Sequence, residues 1–140
     1  MSITKEINRA YQLKEERSWD NIYWVIDLHG VCLKSNYIVN SYEWLNEDVI
    51  KTLLLIHSLP ESKIIIWSSF YSEEKSDIYE FFLKHGIEIN GFNHNVFVQN
   101  TTTGCFDEKF YFNILLDDKA GFNPETDWKE IYNYLIDNKL

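Results

Sequence analysis

Apolar runs alternate with amphipathic stretches along the chain. Two runs, IYWVID at residues 22–27 and KIIIWS at 63–68, are apolar almost throughout and rich in strand-forming residues. A continuous apolar run suits a strand that is buried on both faces, as in a parallel sheet. Two shorter patterns, NVFVQ at 95–99 and YFNILLDD at 111–118, predict a third and a fourth strand.

Amphipathic stretches predict the helices, at residues 5–16, 46–59, 72–86 and 126–138. Asn46 and Ser72 suit helix N-caps, and Gly86 suits a left-handed stop. The order of elements predicts an α/β fold, in three Rossmann-like layers, with a mostly parallel sheet and helices on both faces.

The connections predict how the chain is organised. Only 18 residues, 28–45, join the first strand to its helix, too few for a separate domain over the sheet edge. The cap is therefore expected to be minimal or absent. We expect one domain over residues 1–140, with an N-terminal helical extension over about 1–18.

Composition narrows the function classes. The 140 residues carry a net charge of −9 with no basic run, which argues against a broad nucleic-acid-binding surface. The two cysteines, Cys32 and Cys105, suit a reduced protein better than a disulfide scaffold. No stretch has the length of a membrane span or the apolar core of a signal peptide, so a soluble, cytoplasmic protein is expected. The oligomeric state is left open.

Polar residues stand where three of the strands end. Asp27 ends the first strand, Ser68 and its neighbour Ser69 follow the second, and Asp117 and Asp118 follow the fourth. Ligands of parallel α/β sheets bind outside the carboxyl ends of the strands. Several carboxylates at one edge repel one another unless a cation lies between them, and Mg²⁺ prefers such oxygen ligands.

A phosphate group would be the natural partner of such a cation. Lys109 lies eight residues before Asp117, at the approach to the fourth strand. A lysine and a serine hydroxyl can both donate hydrogen bonds to phosphate oxygens. The predicted edge therefore combines groups for Mg²⁺ and for phosphate.

The ordered segments DLHGV, IIIWSS, DEKFYF and ILLDDKAGF resemble the four motifs of the haloacid dehalogenase-like (HAD) superfamily of phosphohydrolases. They span residues 22–122. The stretch FYFNILLDDKAGFNPETDW looks most like small cap-less members, which include phage and bacterial proteins of unassigned substrate. Receiver domains use similar residues, but their acidic pair comes first in the chain and here it comes last.

The resemblance implies a mechanism and a set of roles. Asp27 would attack phosphorus and form an aspartyl-phosphate, which water then hydrolyses. The implied phosphate contacts come from Lys109 and from Ser68, with Ser69 as the alternative. The implied Mg²⁺ ligands are the Asp27 side chain, the main-chain carbonyl of His29, and Asp117 or Asp118.

His29 departs from the resemblance, because most phosphatases of the superfamily have aspartate two residues after the nucleophile. An imidazole titrates near pH ~6.5 and can serve as general acid and base. Alternatively, His29 marks a slow enzyme or a relative that binds phosphate without turnover. The expected function is a Mg²⁺-dependent phosphomonoester hydrolase acting on a phosphorylated, possibly bulky substrate. The alternative is a catalytically weak or inactive module that binds phosphate or a partner.

Aromatic residues cluster in the segments that flank this edge. Core packing is the preferred interpretation, and a wall that stacks on a nucleobase or sugar is the other. The residues are Tyr37, Tyr42, Trp44, Phe70 and Tyr71.

Overall fold

The computed structural model describes residues 3–35 and 41–138, which form alternating helices and strands. The helices are α1 (Ile3–Arg17), α2 (Glu47–Ser58), α3 (Lys75–Lys84) and α4 (Asp127–Asn138). The strands are β1 (Ile22–Asp27), β2 (Ser62–Trp67), β3 (Gly91–Phe92) and β4 (Ile114–Leu116). Short 3-10 turns lie before α3, at Ser72–Glu74, and after β4, at Asp118–Ala120.

The four strands form one parallel sheet in the order β3-β2-β1-β4. The central strand β1 pairs Ile26 with Ile66 of β2 and with Leu116 of β4. All carboxyl ends therefore lie at one edge. The predicted α/β class with a parallel, Rossmann-like sheet is confirmed.

All four helices contribute buried residues to the first face of the sheet. Trp24 and Ile26 of β1 belong to the same buried cluster as Leu53 of α2, Phe82 of α3 and Ile131 of α4. Helix α1 adds Ile7 and Ala10 to it. This cluster is the main hydrophobic core, and its burial supplies most of the drive to fold.

The second face has a different cover. Tyr23, Val25 and Ile65 are buried there with Phe110, under partly buried side chains of the segment between β3 and β4. That segment contains no helix. The three-layer arrangement therefore has helices in one outer layer and this irregular segment in the other, where a second layer of helices was expected.

The predicted strand at residues 95–99 is wrong. Asn95 is buried, and its side chain accepts a hydrogen bond from Phe97 N (3.0 Å) and donates one to Tyr111 O (2.8 Å). Such an Asx turn stops the chain from running straight. The third strand is instead the two-residue β3, and β4 is shorter than the predicted 111–118.

The helix boundaries follow partly from the sequence. Asn46 caps α2 as predicted, accepting from Asp48 N (3.0 Å) and Val49 N (3.2 Å). Gly86 has the predicted positive φ of +86° after α3. Ser72 is not the cap of α3, because it begins a 3-10 turn in which Glu74 accepts from Tyr71 N (3.0 Å).

The aromatic residues near the edge mostly pack into the core. Tyr42, Trp44 and Phe70 lie against the main cluster, whereas Tyr71 is exposed. Tyr37 lies outside the described residues. In the chain between β1 and α2, Leu33 and Trp44 form an antiparallel bridge. Within residues 3–35 and 41–138, the helices are too short or too polar to cross a membrane.

Candidate active site

Three carboxylates converge at the carboxyl edge of the sheet. Asp27 ends β1, and Asp117 and Asp118 directly follow the neighbouring strand β4. One oxygen of each residue lies within 4.8 Å of one oxygen of the other two. The parallel pairing of β1 with β4 causes this convergence, because it brings both carboxyl ends to the same level. We call these three residues the carboxylate cluster.

The turn after β1 is tightly hydrogen-bonded. Leu28 O accepts from Cys32 N and Leu33 N, both at 2.9 Å, and Gly30 N donates to Leu33 O at 2.7 Å. Gly30 has a φ of +82°, which glycine adopts without strain. A β-carbon at Gly30 would lie 3.7 Å from Asp118 Oδ2, so this carboxylate lies close to the turn.

A hydrogen bond from helix α4 fixes the same turn. The indole Nε1 of the buried Trp128 donates to Val31 O at 2.8 Å. Thr52 of α2 in turn donates its hydroxyl to Trp128 O at 3.0 Å. The position of the turn therefore depends on the helical layer of the main core.

A second turn positions the acidic pair. Asp117 Oδ1 accepts from Lys119 N at 2.9 Å, and Gly121 closes the turn with a φ of +98°. Asp117 is half-buried and Asp118 is exposed. The sequence left open which of the two faces the site, and the structure brings both into the carboxylate cluster.

The electrostatics of the cluster are those of an uncompensated negative site. Burial raises the pKa of Asp27 to about 6; the N–H of Leu28 lowers it, Asp117 and Asp118 raise it, and Lys119 lowers it. No ion pair among the described residues involves the three carboxylates. Three converging carboxylates without a paired cation are a donor set that fits Mg²⁺.

Ser68 is fixed by a residue that the sequence analysis missed. Asn93 accepts from Ser68 N (2.8 Å) and donates to Ser68 O (2.7 Å), with a φ of +54°. Ser68 is half-buried and Ser69 is exposed. The only signal for Asn93 is its residue type, since asparagine tolerates this conformation and can bond to a neighbouring backbone.

The other two predicted residues differ in their surroundings. His29 is half-buried, and its Nδ1 is buried with no hydrogen-bond partner among the described residues. Lys109 is exposed and lines a cavity with Val25 and Trp67, and no described ion pair joins it to the carboxylate cluster. The lysine whose charge acts on Asp27 is Lys119, directly after the acidic pair.

Comparison with known proteins supports the fold. No protein-family profile matches the chain, and no curated protein matches it significantly. One solved structure, of a conserved protein coded by a locus of Bacteroides thetaiotaomicron, is similar, with a TM-score of 0.63 and 22% sequence identity. The match covers 86% of this chain and 93% of that chain. A likeness at this identity shows the shared fold alone.

Proposed function

We propose that this chain is a Mg²⁺-dependent phosphomonoester hydrolase of the HAD-like type, acting through an aspartyl-phosphate on Asp27. The observation that carries the proposal is the carboxylate cluster. It combines a half-buried aspartate at the end of a central strand with two further carboxylates within 4.8 Å. The four ordered motifs of the sequence support the same chemistry.

In the first step, Asp27 attacks phosphorus. Leu28 N donates to Asp27 Oδ1 at 2.9 Å, so Oδ2 is the oxygen left free to attack. A bond forms between Oδ2 and phosphorus, the ester bond to the leaving oxygen breaks, and that oxygen takes up a proton. Because the pKa of Asp27 is about 6, this carboxyl group is ionised in most molecules at neutral pH.

In the second step, water attacks the aspartyl-phosphate, releases inorganic phosphate and regenerates the Asp27 carboxylate. Asp27, Asp117 and Asp118, with the His29 carbonyl, are the residues that would hold Mg²⁺. When bound, Mg²⁺ supplies positive charge that offsets repulsion between the carboxylate and an anionic phosphate. Ser68 binds a phosphoryl oxygen, held in place by Asn93. We assign Lys109 to the same phosphate.

His29 is the proposed proton donor to the leaving oxygen and the acceptor from water. Its ring would act through Nε2, because Nδ1 is buried. The same burial favours a second candidate function, a weak or inactive module that binds phosphate or a partner. A buried Nδ1 with no hydrogen-bond partner among the described residues leaves the tautomer and orientation of the ring unfixed, which would leave proton transfer through Nε2 poorly served.

The first experiment measures hydrolysis of p-nitrophenyl phosphate with Mg²⁺. We expect turnover that EDTA removes and that Asp27→Asn lowers by at least about a thousandfold, as loss of a nucleophile does. Asp20→Asn is the matched control, since Asp20 is exposed before β1, at the opposite end of that strand. Turnover that survives Asp27→Asn would refute Asp27 as the nucleophile.

The second experiment separates the two candidate functions. Beryllofluoride mimics a phosphoryl group on a carboxylate, and fluorine NMR detects it when bound. A hydrolase gives Mg²⁺-dependent beryllofluoride binding together with turnover. A binding module gives the bound signal without turnover, and absence of both in the wild-type protein would contradict both candidates.

A further inference from the structure

An apolar cavity lies on the second face of the sheet, beside the carboxylate cluster. Its volume is about 250 Å³. We call it the Trp67 cavity, and it is lined by Val25, Trp67, Glu108, Lys109, Phe110, Phe112 and Leu115. Apart from Glu108 and Lys109, the side chains of this lining are apolar or aromatic.

Strand register connects the cavity to the carboxylate cluster. Val25 and Leu115 are paired residues of β1 and β4, and both line the cavity. Two residues further along, on the same face, come Asp27 and Asp117, because side chains alternate along extended chain. A two-residue step is about 7 Å along a strand. The cavity and the cluster therefore share one face and one edge.

Trp67 belongs to the lining of the cavity and lies beside the carboxylate cluster. It is the β2 partner of Asp27, so it lies at the level of the carboxylates. Its ring packs against Phe110 at 5.5 Å between centroids, yet the residue is 45% exposed. An indole that leaves this much surface open offers a flat apolar face to a ligand.

The second face of the sheet is more closely covered at its amino end than near Trp67. Towards the amino end, Tyr23 is covered by Phe97, at 6.2 Å between ring centroids, and by Tyr111, at 6.0 Å. Tyr23 is consequently buried. The opening at Trp67 thus coincides with the edge at which the carboxylates converge.

We propose that the Trp67 cavity binds a planar aromatic group carried by the phosphorylated substrate, on the leaving-group side of the phosphate. This inference rests on the proposed function. A dry cavity of about 150 Å³ is known to accept benzene, so about 250 Å³ holds one aromatic ring or base. Trp67 stacks on the ring, Val25 and Leu115 form the floor, and Glu108 meets polar substituents of the ring.

The planar aromatic group could come from two kinds of substrate: one with an aryl group close to the phosphate, or a nucleotide with its base. The test uses ligands that the proposed hydrolase cannot cleave, measured by calorimetry with Mg²⁺. Benzylphosphonate is compared with methylphosphonate, which lacks the ring. We expect benzylphosphonate to bind at least about tenfold more tightly, the gain typical of burying one aromatic ring.

Substitutions at Trp67 test whether the tighter binding of benzylphosphonate arises in the Trp67 cavity. Trp67→Ala should remove the difference between the two phosphonates, and Trp67→Phe should retain part of it. Phe97→Ala is the matched control, because Phe97 is 44% exposed on the same face but does not line the cavity. Equal loss in Phe97→Ala and Trp67→Ala would overturn the assignment.

Two further comparisons distinguish an aryl group from a nucleobase, and the proposed cavity from the proposed hydrolase. The phosphonate analogue of a nucleoside monophosphate, which cannot be cleaved, is compared with the phosphonate analogue of ribose phosphate. A preference for the nucleoside analogue without one for benzylphosphonate identifies the base. A ring preference without any turnover supports the cavity and contradicts the hydrolase. Asp27-dependent turnover without a ring preference in either pair overturns the cavity and leaves the hydrolase standing. Failure of every ligand to bind, together with absence of turnover, overturns both.

Discussion

Asp27 shows how much of the proposed chemistry depends on the surroundings of one side chain. It is half-buried, and it lies close to two other carboxylates. Burial and these neighbours disfavour its charge, while one backbone N–H favours it. The balance raises the pKa to about 6, so the folded protein holds a proton there under conditions in which the unfolded chain has lost it.

This shift predicts how the stability of the metal-free protein depends on pH. A carboxyl group with a raised pKa contributes stability below its unfolded pKa, near 4, and loses that contribution as the pH rises to about 6. In EDTA we expect a loss on the order of 1 kcal/mol over this range, after discounting for solvent screening. Denaturant titration should show the loss in the wild-type protein and not in Asp27→Asn. A wild-type stability that rises from pH 4 to 6 by the same amount as in the variant would contradict the shift.

Asn93 permits a sharper test of the phosphate contact. Asn93→Ala removes both hydrogen bonds to the backbone of Ser68 and should weaken Mg²⁺-dependent beryllofluoride binding about tenfold. Asn90→Ala is the matched control, because Asn90 bonds to Ile64 N at 2.8 Å, near the other end of β2. Asn90→Ala should lose about 1 kcal/mol of stability, and Asn93→Ala about 2 kcal/mol, because it loses two hydrogen bonds and places alanine at a positive φ. Equal weakening of beryllofluoride binding in both would show that Asn93 does not act through Ser68.

The residues of the site were predictable to different degrees. Asp27, Asp117 and Asp118 were predicted because each follows an apolar run in the sequence, and parallel pairing brings such ends together. Asn93 was missed because its role depends on β3 pairing with β2, and β3 is only two residues long. Lys119 was missed because a lysine in a turn has no pattern that separates it from a solvated one.

At the scale of elements, the turn after β1 lies close to the acidic pair and its geometry depends on one glycine. Gly30 has a positive φ, and a β-carbon there would lie 3.7 Å from Asp118 Oδ2. Gly30→Ala should therefore cost about 1 kcal/mol of stability through backbone strain and should also weaken Mg²⁺ binding.

A second glycine separates these two effects. Gly86 also has a positive φ, but it follows α3, and a β-carbon there would lie 3.3 Å from Leu54 Cδ2, away from the carboxylate cluster. Gly86→Ala should lose similar stability and keep its Mg²⁺ affinity, as judged by the rise in melting temperature on adding Mg²⁺. If Gly86→Ala also loses the Mg²⁺-induced rise, the effect of Gly30→Ala reflects general loosening and not the turn.

Helices and strands were predicted correctly where the sequence has an apolar face along a helix or an apolar run through a strand. Strands β1 and β2 were predicted to within a residue, and α2 began at its predicted cap. The pattern NVFVQ failed because alternation cannot reveal that Asn95 is buried and bonded to Tyr111 O. Val96 and Phe97 are exposed, but the ring of Phe97 stacks on Tyr23 of β1, so this run covers part of the second face without joining the sheet.

At the scale of the whole molecule, the two faces of the sheet differ in how their covers are held. The helical face is covered by elements with their own backbone hydrogen bonds and a large shared core. The segment over the second face depends on side-chain acceptors, as in the bonds from Phe97 N to Asn95 Oδ1 (3.0 Å) and from Phe106 N to Asn100 Oδ1 (2.6 Å). Few buried contacts and few regular hydrogen bonds allow local opening.

Hydrogen exchange should therefore divide the molecule in two. The amides of β1, such as that of Ile26, and those of α4, such as that of Ile131, should exchange only through global unfolding, because both lie in the main core. The amides of Phe97 and Phe106 should exchange at least about a hundredfold faster, through opening of the segment alone. Equal protection of both groups would contradict this division. If an aromatic phosphonate occupies the Trp67 cavity, its contact with Phe110 and Phe112 should slow exchange in the segment, while methylphosphonate should leave it unchanged.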